Sequence, residues 1–467
     1  MKPLWSAERE LPTFDPPDLD GPFDVAVVGA GLTGLITALV LAREGHRVVV
    51  LEARAVGAGT SGATTAKATI LQGTRASTIA AKHPHERVQQ YLAGNRFGLD
   101  WLVTFCTDHG VPTQRPSAVT YAPTSADLQQ VRDEYDLMLR LGVDAHWREE
   151  DDVPFGFAGG VTVPDQLQCD PVDLLTALAE AAVRAGVTVA TGRRVTSVGT
   201  DRDPTLHTEG GTVRAERVVL ATGIPIADRG GFFARVVPER SYLVAIHDAA
   251  GTPMDMYLAS STPTRSIRTV PAADGQWVLV GGNSHEVGRA TSEAAHVREL
   301  TQWAEDRFGG QVAHSWGAQD YHPIDELPYV GRLLPTRERV LIASGYAKWG
   351  MTNAPAAAAV LAGHLGGAMP PWGPAFASWS THEAAGAAAG VGHNVRAMRD
   401  LATDRLATFV ADARTPAEGA GCVARRDGQP VATSRVDGRT RSVSATCPHM
   451  GGIVHWNDAE LTWDCPL

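Results

Sequence analysis

The segment Gly29-Ala30-Gly31-Leu32-Thr33-Gly34 constrains this chain more than any other, because it joins an apolar strand pattern, Phe23–Val28, to a helical pattern at 35–44 that Gly45 closes. In such a strand, turn and helix the first glycine permits the tight turn and the second lets a pyrophosphate approach the backbone. The third lets helix and sheet pack closely, with the phosphates at the helix N-terminus. A second strand pattern at 47–51 delivers Glu52, with seventeen residues between it and Gly34. Its carboxylate is placed to accept hydrogen bonds from a ribose diol. Three glycines alone are a weak signal. With both strands, the helix and the acid in order, they specify a dinucleotide site in a Rossmann-like α/β domain.

At 467 residues the chain exceeds one ordinary core and suggests two to four domains. A net charge of -11 with scattered basic residues argues against a nucleic-acid groove, which needs a clustered positive face. No apolar run reaches bilayer length, and residues 1–20 are polar and proline-rich without a signal-peptide core. The expectation is a cytoplasmic protein with neither a nucleic-acid nor a membrane partner. Five cysteines are too few for a disulfide scaffold; Cys106, Cys169 and Cys422 read as small apolar packing residues.

Choosing between dinucleotides takes three further segments. At 57–73, Thr60-Ser61-Gly62-Ala63-Thr64-Thr65-Ala66-Lys67 is a loop of small and hydroxylated residues able to follow a second phosphate under a planar ring. A strand pattern at 217–223 ends in Ala221-Thr222-Gly223, which lets the backbone pass close to the nucleotide, and a strand pair surrounds Val195. A third strand pattern at 340–343 meets Ser344-Gly345-Tyr346-Ala347-Lys348-Trp349-Gly350 before an alanine-rich helix at 354–365.

Together these segments resemble the D-amino-acid-oxidase-like family of FAD oxidoreductases, which includes glycine and sarcosine oxidases, over roughly residues 23–370. The resemblance implies that Gly29, Gly31 and Gly34 hold the pyrophosphate, Glu52 the ribose, and Ser61, Thr64 and Thr65 the flavin-side phosphate and ring edge. Thr222 and Gly223 border the nucleotide, and Val195 meets adenine through its backbone. Gly350, Met351 and Thr352 would lie by the pyrimidine edge of the isoalloxazine, where main-chain N–H groups stabilise a reduced, anionic ring. The late glycine-rich segment carries no cysteine, so the FAD is expected to be noncovalent.

The end of the chain carries a different signal. Cys447-Pro448-His449 is followed, after fifteen residues, by Cys465-Pro466-Leu467. This is Cys-x-His, a spacer and the start of Cys-x-x-His, the ligand pattern of a Rieske 2Fe-2S cluster, in which two thiolates hold one iron and two imidazoles the other. The expected ligands are Cys447, His449 and Cys465; the fourth would be residue 468, so it is absent from this chain. Short apolar stretches alternate with Asp427-Gly428 and Asp437-Gly438 turns, as in a small all-β module, and Trp456 and Trp463 could shield the ligand loop. The two signals in this order look like a subgroup of the family with an appended Rieske domain. For residues 1–467 the expectation is more reliable binding of FAD than of iron, with His455 a packing residue.

The expected architecture is therefore α/β: a discontinuous FAD-binding domain (23–82, 151–229, 336–383), an interleaved mixed α+β substrate domain (83–150, 230–335), a linker helix (384–410) and an incomplete Rieske-like module (411–467). Helical patterning at 86–109 and 125–141 and strand patterns at 236–246, 267–270 and 277–280 make a roof over the flavin. Tyr242, Arg268, His285, Tyr321 and His322 are pocket candidates, Lys348 is a further one beside the flavin, and Asp325 lies in a loop approaching it. The expected function is an FAD-dependent oxidoreductase, dehydrogenase or oxidase, acting on a small amine or amino acid and passing electrons to the cluster and an external acceptor. A redox-transfer or sensor flavoprotein without a small-molecule substrate is the alternative.

Overall fold

The computed structural model describes residues 1–15, 19–200, 202–227, 229–247, 249, 251–272, 275–381, 386, 390, 392, 399, 401, 403–406, 415–448 and 451–466. Most of the expected linker helix at 384–410, and His449, lie outside the described residues. A six-stranded sheet runs in the order Tyr329–Arg332, Val340–Ser344, Ala215–Gly223, Phe23–Val28, Val48–Leu51, Thr188–Ala190. All neighbours are parallel except the first pair. Its inner strands read as continuous Val, Leu and Ile because both faces are covered. Helices Leu32–Arg43, Pro171–Arg184 and Gly350–His364 pack on one face. On the other lies the antiparallel sheet Val195–Thr200, Asp203–Thr208 and Gly211–Val213.

The glycine motif does what its spacing requires. Gly29 has φ +105° and abuts the Ala221 carbonyl, and a Cβ on Gly34 would stand 1.9 Å from the Gly29 carbonyl oxygen. The helix begins at Leu32, earlier than its apolar periodicity suggested, because a helical first turn needs only free N–H groups and not apolar side chains.

An eight-stranded mixed sheet forms the second layer, in the order Val312–Pro323, Val236–His247, Gly275–Glu286, Arg265–Ala272, Met256–Ala259, Ala118–Ala122, Gly159–Val163, His146–Arg148. Two boundaries differ from the sequence reading. Gly159–Val163 pairs with Ala118–Ala122, so the expected break at 150/151 cuts through this sheet, and Tyr329–Arg332 pairs with Val340–Ser344, so the six-stranded sheet begins before 336. Pairing partners far apart in sequence decide both, and strand patterns alone carry no partner information. A small sheet of Lys67–Ala68, Leu167–Cys169 and Thr113–Gln114 bridges the two layers.

Near the C-terminus, Gly421–Arg426, Gln429–Val436 and Arg439–Ser444 form an antiparallel meander, followed by the pair His455–Asn457 and Thr462–Asp464. Asp427-Gly428 and Asp437-Gly438 all have positive φ, as two-residue hairpin turns demand. This piece docks on the larger sheet. Arg240, on Val236–His247, pairs with Glu460 and with Asp464 (3.2 Å). Asp458 accepts from Ser292 Oγ (2.7 Å) and Ala294 N (2.8 Å) at the start of helix Glu293–Phe308. Among the described residues no helix is long and apolar enough to cross a membrane.

Helix His85–His109 meets helix Gly350–His364 at Gly98, where a Cβ would stand 1.9 Å from the Thr352 carbonyl oxygen. Gly98→Ala is predicted to lower stability by about 1–3 kcal/mol through overpacking, read by chemical denaturation. Arg240→Met leaves two carboxylates facing the sheet without their cation, a loss of about 3–5 kcal/mol where such a pair is buried. Chemical denaturation should then show the strands from 421 to 464 coming apart before the rest of the fold.

Candidate functional site

A cavity of about 580 Å³ begins at the C-terminal edge of the six-stranded sheet. At one end lie Glu52, Arg54, Arg194 and Val195; Gly29, Gly31, Ser61 and Thr64 line its middle; Thr222, Gly223, Tyr346, Gly350 and Met351 close the other side. The Glu52 carboxylate is fixed by Ala30 N (2.9 Å to Oε2) and Arg54 N (2.9 Å to Oε1). Each oxygen keeps a lone pair for a further donor. Ser61 Oγ accepts from Leu32 N (3.1 Å), one of the unpaired donors of the helix start, and sits where a Cβ on Gly31 would come within 2.9 Å. The other first-turn N–H groups have no intrahelical acceptor, so an anion can be bound there.

A second cavity of about 360 Å³ opens beside the first, and Thr60, Thr64, Asp320 and Lys348 line both. It lies between the small bridging sheet and the larger one, and includes Thr65, Lys67, Arg75, Tyr242, Ser284, His322 and Trp349. Three ionisable groups meet at the junction. Lys348 Nζ lies 3.1 Å from Glu239 Oε2 and donates to Ser284 Oγ, and His322 Nε2 is 3.3 Å from the same carboxylate. Burial pushes His322 down to about 4, against the pull of Glu239, so this imidazole is neutral at pH 7. Burial also works against the Glu239 charge, but the neighbouring His322 and Lys348 hold the carboxyl below its ordinary range, His322 only where it is protonated. With His322 neutral, Lys348 is the cation that acts. Burial pushes Asp320 up to about 6 although part of its surface is accessible, because that part faces the cavities. The Asp320 carboxylate accepts from Tyr321 N (2.7 Å).

Of the residues singled out in the sequence, Gly29, Gly31, Glu52, Ser61, Thr64, Val195, Thr222, Gly223, Tyr321, Lys348, Gly350 and Met351 line the first cavity. Thr65, Tyr242 and His322 line the second. The remainder lie elsewhere. Gly34 packs against the turn, and Thr352 donates to Asn95 Oδ1 (2.6 Å) in a buried network with Gln72. Arg268 is buried with its guanidinium on the carbonyls of Thr65, Cys169 and Thr269, which makes it a brace behind the cavity wall rather than a ligand facing into it. The Asp325 carboxylate accepts from Tyr329 OH (2.9 Å), and the His285 ring stacks on His296 at 4.4 Å. Glu239, Asp320 and Lys67 were not singled out. A lone acid in a strand or loop carries no sequence mark, but a lysine inside a run of small residues does, and Lys67 sits in one.

A family model described as DAO, FAD dependent oxidoreductase, matches residues 24–363. The chain belongs to the FAD-dependent oxidoreductases. This oxidoreductase is 26% identical over 99% of its length, and 92% of the other protein, to YhfW of Bacillus subtilis (strain 168), a protein named for a Rieske 2Fe-2S centre. It is 24% identical to the glycine oxidase of Geobacillus kaustophilus (strain HTA426) over 71% of this chain and 90% of that one. The crystal structure of glycine oxidase from Geobacillus kaustophilus superposes with a TM-score of 0.60 at 23% identity, covering 75% of this chain and 96% of the other. L-Amino acid deaminase from Proteus myxofaciens does so with 0.63 at 17%, covering 78% and 94%. These likenesses give the shared fold.

The residues present suit FAD. A carboxylate held by two backbone N–H groups at one side, a helix start with no side chain at Gly31 and a cavity lined from Glu52 to Gly350 match its length and chemistry. At the other end of the protein the expected metal ligands are only partly described. Cys447 lies in a loop closed by Cys447 N to Gly452 O (2.8 Å) and Gly451 N to Cys447 O (3.0 Å), and Cys465 follows strand Thr462–Asp464 against Gly288. Among the described residues no group of three or more His, Cys, Asp and Glu side chains is gathered for a metal. His455 lies 3.1 Å from Asp404.

Glu52→Ala removes the acceptor shared by Ala30 N and Arg54 N as well as the carboxylate offered to the cavity. Losing a charged hydrogen-bond acceptor costs about 1.5–3 kcal/mol. FAD affinity is predicted to fall about 10- to 100-fold, measured as flavin released on dilution, and the FAD-free protein should lose part of the stability these two hydrogen bonds supply, read by chemical denaturation.

Proposed function

We propose that this FAD-dependent oxidoreductase takes a hydride equivalent from the carbon next to the nitrogen of a small amine or amino acid, and that its electrons pass to a Rieske 2Fe-2S centre in the C-terminal strands. The reading rests on one observation above others: the second cavity opens into the flavin cavity at Thr60, Thr64, Asp320 and Lys348, so a small molecule there has direct access to a bound cofactor. The names of the relatives, glycine oxidase and amino acid deaminase, support the substrate class.

In this reading Glu52 holds the ribose, the helix start at Gly31 and Leu32 the pyrophosphate, and Ser61 and Thr64 the flavin side. Val195 borders the adenine, Thr222 and Gly223 flank the nucleotide, and Gly350 and Met351 reach the far ring. Thr65 faces the substrate and Thr352 braces the helix start at Gly350. Bound FAD supplies a two-electron acceptor that can release electrons singly. The chain supplies the rest. Asp320, ionised at pH 7, draws an ammonium to the junction; the Lys348–Glu239 pair holds the glycine-rich loop over it; the walls from both sheets exclude water and align the substrate.

The cluster reading is supported by the Cys447, His449 and Cys465 pattern and by the likeness to YhfW along nearly the whole chain. Two thiolates and one imidazole are three of the four donors such a centre uses. The parts of the fold suit separate domains: the six-stranded sheet for FAD, the eight-stranded sheet for substrate, and the strands from 421 onward for the cluster.

Anaerobic titration with glycine, N-methylglycine, L-proline and simple amines should bleach the flavin absorbance with at least one of them. Failure of the whole panel, with reduction only by a protein donor, would turn the assignment toward a redox-transfer protein. Residues 1–467 should retain flavin more reliably than iron; where iron and acid-labile sulfide are found, Cys447→Ser should remove both while FAD stays bound.

A further inference from the structure

Lys67 is one of four lysines in the chain, with Lys2, Lys82 and Lys348, and it is the one whose amino group is enclosed. The residue is 8% exposed and lines the second cavity, three residues beyond Thr64, which lines both cavities. A charged lysine offers three donors. Among the described residues Nζ has one acceptor, the Tyr257 carbonyl at 3.1 Å, and no carboxylate partner.

The surroundings explain why the charge is poorly supported. Arg268, on strand Arg265–Ala272, is a fixed cation behind the wall, tied to three carbonyls. Strand Leu167–Cys169, paired with Lys67–Ala68, offers Cys169, whose thiol burial keeps protonated. Strand Met256–Ala259 offers Tyr257, whose hydroxyl donates to Asp151 instead. Across the cavity Arg75 is paired with Glu326 (3.0 Å) and Lys348 with Glu239, His322 is neutral, and Asp320 is the carboxylate lining the space. Burial, aided by Arg268, brings Lys67 down to about 7. A lowered lysine is neutral above that value and charged below it.

We propose that Lys67 is the base that prepares the substrate: in its neutral form it takes a proton from the ammonium of an amine bound in the second cavity. The ligand N–H bond breaks, its electron pair stays on the ligand nitrogen, and the lone pair of Nζ forms the new N–H bond. No electrons are transferred in this step. The ligand amine becomes neutral, the only form whose nitrogen lone pair can assist loss of hydride from the adjacent carbon, and Lys67 becomes the ammonium until the proton passes to water. A buried base beside the reacting group contributes about 10²–10⁴-fold. The inference rests on the amine reading above.

With four lysines, protein labelled with carbon-13 at the lysine ε position gives few signals, and the one missing in Lys67→Met is assigned. In the FAD-loaded wild type that signal should titrate with a midpoint near 7; a midpoint above about 9 overturns the proposal. Flavin bleaching by the reactive amine of the panel should lose rate below pH 7 in the wild type. In Lys67→Met it should be about 100-fold slower at pH 7 and recover steadily as pH rises and the ligand itself loses its proton. Lys67→Arg, which keeps a permanent cation, should behave like Lys67→Met and also serves for assignment if the methionine variant does not fold. An unchanged rate and pH profile in both variants, with wild type active, sinks this inference alone. Wild type left unbleached by every amine sinks the amine reading and takes the inference with it.

Discussion

The whole arrangement depends on how closely the first helix approaches the first turn. With hydrogen at Gly34 the helix start sits against the Gly29 carbonyl, and with hydrogen at Gly31 it leaves room for the Ser61 hydroxyl. A methyl at Gly34 would meet that carbonyl and push helix Leu32–Arg43 away from strand Phe23–Val28, whereas one at Gly31 would displace the Ser61 hydroxyl. The parallel sheet then carries those donors on a rigid base, because its inner strands are apolar on both faces and packed by helices and a second sheet. Glu52 is held by the same logic, its two oxygens fixed by backbone N–H groups before any ligand arrives.

The segment from Thr60 to Lys67 links the two halves of the chemistry. It begins under the cofactor cavity, passes the shared wall at Thr64 and ends in the small sheet behind the second cavity. Small side chains let it run between two sheets without displacing either. The junction it crosses is electrically uneven. Lys348 and Glu239 neutralise each other at its rim, whereas Lys67 is enclosed and, among the described residues, has no carboxylate within ion-pair distance, and burying an unpaired amine favours its neutral form. The C-terminal strands contact the same eight-stranded sheet on its other side, through Arg240 and through the carboxylate of Asp458 at a helix start. One sheet thus carries the roof of the second cavity and the dock for the terminal strands.

Much of the cofactor cavity was legible because its determinants are local. Gly29, Gly31, Ser61 and Glu52 are set by turns and strand ends that lie within thirty-odd residues of one another, and the backbone rules for such turns are strict. The hairpins at Asp427-Gly428 and Asp437-Gly438 were legible for the same reason, since two successive positive φ values admit few residue types. Arg268 and Asp325 went the other way. Each is a polar residue in a suitable strand or loop, and only the neighbours brought from distant segments, Thr65 and Cys169 for one and Tyr329 for the other, turn them inward as braces.

The sequence by itself determined the first strand, its glycine turn, the helix that follows and the acid beyond the second strand, because glycine spacing encodes backbone geometry directly. Tertiary structure alone decided which strand pairs with which, that Gly159–Val163 joins the larger sheet, and that Glu239, His322 and Lys348 meet at the mouth of a second cavity. It also decided the state of Lys67. A charge depends on what surrounds it in three dimensions, and the residues that desolvate this amine come from strands a hundred and two hundred positions away along the chain.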